Sequence, residues 1–223
     1  MNRVDVHILM HPGQDRSATL EPLLEQLERE PVTVHLIPGK LRDIGAARAE
    51  GFRAGEGPLV SYVDDDDEIV EGVYTKVLEC FNSEPAIDGC ATRELHFRHG
   101  AREGLVKQFI FKYYNKYNAG DVHHVTTWKR EAIGPYLNDI SRINTNSEQH
   151  LTGLLLRDGA RIRHIPFVGY VWREHAGSTP SLNMTRHPDT VALFKELVLT
   201  SHANKHRPHI AEQGIIKVNK TRG

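Results

Sequence analysis

Cysteine is scarce in this chain of 223 residues, with only Cys80 and Cys90 present. Their spacing is not that of a CxxC or other paired-ligand motif, so the sequence offers no zinc centre built on cysteine. Two free thiols fit a reducing compartment. Long apolar runs are missing as well, and no stretch approaches the roughly 18 residues of a membrane span. The opening "MNRVDVHILMHPG" holds a short, alternating apolar run, the pattern of a strand rather than of a signal peptide. A cytoplasmic protein is the expectation. A net charge of −1 gives no global attraction to nucleic acid or membrane. Internal repeats and low-complexity linkers are also lacking, which leaves a single domain with a small appendage.

What is present is ordinary globular material, 39% apolar and 26% charged, in a deliberate order. Val4, Val6, Ile8 and Met10 alternate as in a strand that stops at "HPG". Leu20, Leu23, Leu24 and Leu27 follow at helical spacing, with Pro22 expected in a first turn that tolerates it. Val32 to Ile37 form a second strand. Asp43 stands where a cap would open a second helix, "IGAARAEGFRAG", closed by Gly55 or Gly57. Leu59 to Val63 is a run of buried-strand length, and Val73, Val77, Leu78 and Phe81 mark the face of a third helix. Strand and helix alternate three times, the pattern of an α/β open sheet with crossover helices. The second half is more mixed. It includes a helix at "SEQHLTGLLLRDG", strand material in "RIRHIPFVGYVWREH" and a C-terminal amphipathic helix.

The unusual stretch is "GPLVSYVDDDDEIVEG". Four aspartates and a glutamate, Asp64 to Glu68, directly follow the third strand. Ligands of open α/β sheets bind beyond the carboxyl ends of the strands. Clustered carboxylates there suit a hard divalent cation, Mn²⁺ or Mg²⁺. In an extended segment residues i and i+2 point the same way, so Asp64 would share a face with Asp66, and Asp65 with Asp67. A solvated acidic turn is the alternative.

The segment from Ala46 to Gly72 resembles the centre of a GT-A fold, family 2 type glycosyltransferase. There a helix beginning with small residues precedes a strand ending in Asp-x-Asp or Asp-x-Asp-Asp. Ala46-Ala47-Arg48 to Ala54 is similar to that helix, and Asp64 to Asp67 match the motif. The resemblance implies a GT-A, Rossmann-like open mixed sheet over residues 1–180, with residues 181–223 as a C-terminal helical extension and basic tail. It implies a nucleotide-diphosphate sugar donor, with Asp66 on the metal and Asp64 on the ribose or the metal. Downstream, "NSEQHLTGLLLRDGARIRHIPFVGYVWREHAGSTPS" resembles the family's base-bearing helix, its glycine stop, a strand and a Tyr/Arg/His segment. Counting back from Gly159 puts Glu148 at the position of the catalytic base of an inverting transfer. The family's Glu-Asp is here Ser147-Glu148, so a glutamate stands in for the usual aspartate. Glu148 is otherwise a first-turn acid at a helix N-terminus.

On the same resemblance His175 is a metal or diphosphate contact, and Arg173 offers charge to the phosphates. Pro12 and Arg16 of the first loop, Asp43, Arg48 and Asp65 line the nucleotide-sugar pocket. Relatives carry an acid directly after the second strand to read the base. Here that place reads "HLIPGKLRD", and Asp43 is the substitute. His124 and Trp128 fall on the acceptor side, where Trp128 either stacks on a sugar or base or sits in the core. The acceptor is open: a saccharide, or less favoured a hydroxymethylated DNA base. Arg98, Arg102, Lys107, Lys112 and Lys116 interleave with Phe109, Phe111, Tyr113 and Tyr114, a mixture used on single strands and flipped bases and equally the two faces of an amphipathic helix. Two rival classes remain, a nucleotidyltransferase and a nucleotide-sugar-binding protein without catalysis.

Overall fold

The computed structural model describes residues 1–40, 43–97, 124–143 and 147–173, together with the backbone of 105–107. The stretches that hold His175, the basic and aromatic residues expected near the acceptor, and the C-terminal extension lie outside the described residues.

The three strand–helix units form where the apolar pattern places them. Strand β1 (Val4–Met10), helix α1 (Ser17–Glu28), β2 (Val32–Pro38), α2 (Ile44–Arg53), β3 (Leu59–Asp64) and α3 (Val73–Ser83) follow in order, with the short β4 (Glu68–Ile69) between the last two. β1 pairs in parallel with β2 on one side and β3 on the other. Helical crossovers make this the natural arrangement, because a parallel neighbour needs a long connection.

The second half converts the sheet to a mixed one. β5 (Gly89–Phe97), β6 (Leu105–Lys107), β7 (Thr126–Lys129) and β8 (Ile162–Arg173) are separated by α4 (Arg130–Ile133), a 3₁₀ turn, α5 (Leu137–Ile140) and α6 (Ser147–Arg157). The sheet order is β2-β1-β3-β7-β5-β8-β4, with β6 added on β5. β7 runs antiparallel to both β3 and β5. β8 is one long strand, and its residues Tyr170 and Val171 pair antiparallel with β4, directly after the acidic run.

Two cores flank the sheet. One packs Val4, Val6, Ile8, Leu23, Leu27, Val73, Val77 and Phe81 between the sheet and α1 and α3. The other packs Phe52, Val60, Tyr62, Trp128, Leu151 and Leu154 between the sheet and α2, α5 and α6. Leu23 and Leu27 are each 1% exposed, and full burial of such a side chain contributes about 1.5–3 kcal/mol. Helix α1 begins at Ser17, so Pro22 lies inside it rather than in its first turn. The carbonyl of Ala18 loses its helical donor there, but Ala18 faces solvent, where water replaces the bond.

Two polar anchors set the path around the acidic run. The buried Glu30 carboxylate accepts from the N–H groups of Gly72 and Tyr74 and so closes the start of α3. Gly72 has φ +83°, which a side chain would resist. The Ile69 N–H donates to Gln26 Oε1 at 3.1 Å. The run is thereby held between α1 and the sheet.

Candidate active site

The acidic run is a tight turn and not an extension of β3. Asp64 ends the strand, Asp65 and Asp66 form the turn, and Glu68 begins β4. Strand alternation stops at Asp64, so the expected facing of Asp64 with Asp66 is replaced by an i, i+3 meeting of Asp64 with Asp67. A turn returns the chain on itself within four residues, which brings the first and last acids together and turns the middle two toward the loop after β1.

Asp64, Asp67 and His124 converge. One ligand atom of each lies within 4.8 Å of the others. His124 is 2% exposed, and its Nε2 stands 3.3 Å from Asp64 Oδ2. Its ring stacks on Tyr170 at a centroid distance of 4.4 Å. The Tyr170 hydroxyl donates to Asp67 Oδ2 at 2.8 Å, and the Asp64 N–H donates to the same hydroxyl at 3.2 Å. Asp67 also accepts from the backbone N–H of Arg173 at 3.1 Å. Two carboxylates and an imidazole are a sound donor set for Mn²⁺, and less so for Mg²⁺, which prefers oxygen throughout.

Asp65 and Asp66 face the first loop. Asp65 accepts from the His11 N–H at 2.7 Å, and Arg16 Nη2 lies 3.1 Å from Asp66. The backbone carbonyl of Asp65 accepts from Thr19 at 2.8 Å. Asp66, expected on the metal, is ion-paired with Arg16, and Asp67 is the acid that lies beside Asp64 and His124. Pro12 is exposed and packs near Gly39, where the loops after β1 and β2 meet through the Gly39 N–H and the Met10 carbonyl at 2.9 Å. Asp43 occupies the N-cap of α2 without a side-chain capping bond.

Arg48 joins the turn to the second half of the chain. It lies in α2 and is 4% exposed. Its Nη2 donates to Asp64 Oδ1 at 2.8 Å, and its Nε donates to Glu148. Its guanidinium also lies over the Tyr62 ring, 4.4 Å from the centroid. Glu148 is in the first turn of α6, a hundred residues away in sequence, so only the packing of α6 against α2 brings it here.

Charge in the cluster is uneven. Burial works against ionised Asp64, but His124 and Arg48 outweigh it and hold its carboxyl well below the usual range. Asp67 is pushed well above that range, first by burial and then by Asp64 and Asp66. Burial also raises Asp65. The two carboxylates, three residues apart, are thus shifted in opposite directions, Asp64 by the cations beside it and Asp67 chiefly by burial.

The remaining expectations divide. Arg173 is at the rim, with its Nε on Glu68 at 2.6 Å and its guanidinium over Phe97 at 4.5 Å. Trp128 does not offer a ring to an acceptor. It is 1% exposed, and a Cβ on Gly89 would run into its indole, so it is a core residue of the second cluster. His124, expected beside the acceptor, is buried against Asp64. Asp67 and Tyr170 are given no site role by the sequence, although both lie in the stretches that carry the resemblance, Asp67 at the end of the acidic motif and Tyr170 at the head of the Tyr/Arg/His segment.

Comparison with known proteins agrees with this architecture. The profile of Glycosyl transferase family 2 matches residues 14–135. No curated protein sequence matches the chain. Among solved structures, TarS 1–349 from S. aureus in complex with UDP-GlcNAc superposes with a TM-score of 0.65 at 14% identity, over 95% of this chain and 71% of that one. TarS 1–349 alone gives 0.61 at 13%, over 94% and 69%. The longer S. aureus TarS gives 0.60 at 13%, over 95% and 42%. At such identities the likeness establishes the GT-A fold.

Proposed function

Since the chain belongs to glycosyl transferase family 2, we propose that it moves a sugar from a nucleoside-diphosphate sugar to an acceptor hydroxyl, with inversion and with a divalent cation. The observation that carries this reading is the convergence of Asp64, Asp67 and His124 at the carboxyl end of β3, with Glu148 tied to the same cluster through Arg48. Mn²⁺ or Mg²⁺ held there would supply Lewis-acid charge to the diphosphate leaving group.

The chain's own residues do the rest. Arg16 and Arg48 supply fixed positive charge beside the turn, placed to orient phosphate oxygens. Tyr62 and Tyr170 are buried against the cluster, and a low-polarity floor strengthens the charge interactions above it. Glu148 takes the proton of the acceptor hydroxyl as that oxygen attacks the anomeric carbon and the bond to the diphosphate breaks. Arg48 must give up part of its hold on Glu148 for this, and the incoming diphosphate is the competing anion. The neighbours' UDP complexes support a uridine donor as the first to try. A saccharide hydroxyl is the favoured acceptor. No helix among the described residues is long and apolar enough to cross a membrane.

The test is a panel of nucleotide-sugars followed by thermal shift, with and without Mn²⁺, and by hydrolysis. We expect one donor to stabilise the protein only with the metal and to be cleaved slowly. Absence of any metal-dependent shift across the panel would falsify the transferase reading. Binding without turnover, unchanged in Glu148→Gln, would leave a sugar-nucleotide-binding protein.

A further inference from the structure

We propose that His7, a core residue of β1, is a positioning residue that fixes the Arg48 guanidinium between Asp64 and Glu148. The proposal rests on the transferase reading for its kinetic consequence, but its structural content stands apart from it. His7 is 0% exposed and lies in mid-strand, on the side of the sheet that faces α2. Its ring packs against two aromatic side chains: Phe52 meets it edge-on at 4.7 Å, and Tyr62 is stacked 6.0 Å away. Packing alone would accept a leucine or phenylalanine in such a place. An imidazole there sets two polar nitrogens in the core, which is costly unless they are used.

One of them is used. His7 Nε2 lies 3.3 Å from Arg48 Nη1. Arg48 can only donate, so His7 must accept, and its ring is neutral with the proton on Nδ1. Burial first, and then the Arg48 charge, hold the ring well below its ordinary range. The Nδ1 atom has no hydrogen-bond partner among the described residues. A donor left buried and unmatched needs a reason, and the bond on the other side of the ring supplies it.

With His7 counted, all three guanidinium nitrogens are assigned. Nε goes to Glu148, Nη1 to His7 and Nη2 to Asp64, with Tyr62 beneath the plane. A planar fork held at three points has one orientation. Without the third point it can pivot about the two carboxylates, and the acid of the turn and the base on α6 lose their fixed relation. Gly51 belongs to the same device, because a Cβ there would run into the His7 ring.

The experiment uses the full chain. ¹⁵N NMR, with His7 assigned by difference against His7→Phe, reads the tautomer directly. We expect Nδ1–H with unprotonated Nε2 at neutral pH; an Nε2–H or charged ring overturns the proposal whatever the enzyme does. With UDP-GlcNAc and Mn²⁺ as the probe, His7→Phe should lower kcat about 10- to 100-fold with little change in KM, and His7→Gln, which restores an acceptor, should recover most of it. In an Arg48→Lys background His7→Phe should add less than about twofold. Equal losses in the Phe and Gln variants, or effects that multiply with Arg48→Lys, would show His7 to be packing alone. Failure of UDP-GlcNAc to turn over in the unmodified chain counts against that donor, and leaves the tautomer measurement to decide the role of His7.

Discussion

Two clusters of buried acid and arginine sit at opposite ends of the same three strands, and they are built differently. At the amino end of β1, Asp5 accepts from Arg130 at 2.6 Å, from the Gly57 N–H at 2.8 Å and pairs with His35 at 3.0 Å. The other donors of Arg130 close on the carbonyls of Phe52, Ala54 and Gly57. Both carboxylate oxygens of Asp5 and all three guanidinium nitrogens of Arg130 have protein partners, and the knot ties the end of α2 to the sheet. At the carboxyl end, five carboxylates (Asp64, Asp65, Asp66, Asp67 and Glu148) meet two ion-paired guanidiniums, Arg16 and Arg48. Among the described residues the first cluster is closed, while the second sets five carboxylates against two guanidiniums and the His124 ring. A closed cluster has nothing to offer a ligand, whereas an unbalanced one attracts a cation.

Four changes would sharpen or break that contrast. The largest effect is expected at Glu148: Glu148→Gln should cut donor turnover about 10²- to 10⁴-fold while leaving the Mn²⁺-dependent thermal shift intact, as read by hydrolysis and melting side by side. Next is Asp5→Ala, which leaves Arg130 partly buried without its acid. Denaturant unfolding should show a loss of about 3 kcal/mol, with turnover per folded molecule unchanged; a selective loss of turnover would mean that the closed cluster has a functional part.

The third change, Asp67→Asn, acts through pH. The folded state holds the Asp67 proton to a higher pH than the unfolded chain does. Between the two values the folded state binds more protons, so stability falls as pH rises through that window and stays lower above it. In metal-free protein the asparagine variant should therefore melt higher than the parent above that window, and it should lose the gain that Mn²⁺ gives the parent. A melting temperature that drops in both conditions would contradict the excess of charge. The smallest effect is expected at Arg173→Ala. Its pair with Glu68 is about half exposed, and such pairs contribute under about 1 kcal/mol; stability should barely move, and any rise in donor KM would report a direct phosphate contact.

The fold of the first half was legible because burial repeats at the periods of its elements. Val4, Val6 and Ile8 alternate, and Val73, Val77 and Phe81 recur at helical spacing; all are fully buried. The second half was less so, since β7 enters the sheet between β3 and β5 through antiparallel pairing that no local pattern encodes. Pro22 was misjudged by one turn because helix starts are weakly marked when no cap is present. At the site, the acids and Glu148 were visible as residue types at telling places. Which acid faces which was not, because a turn rather than a strand carries them. For Trp128 core and acceptor both stood open, and the inward aim of His124 was hidden, since such rings suit core and ligand alike.

The sequence by itself determined an α/β chain with an acidic run beyond its third strand and an acid at the head of a later helix. These follow from local periodicity and from residue chemistry, which act over a few positions. Only the tertiary structure decided that Asp64 meets Asp67 and His124, that Arg16 takes Asp66, and that Arg48 spans Asp64, His7 and Glu148. Those contacts join residues up to a hundred positions apart. They are fixed by how α2, α6 and β8 pack on the sheet, and by the need of each buried charge to find a partner.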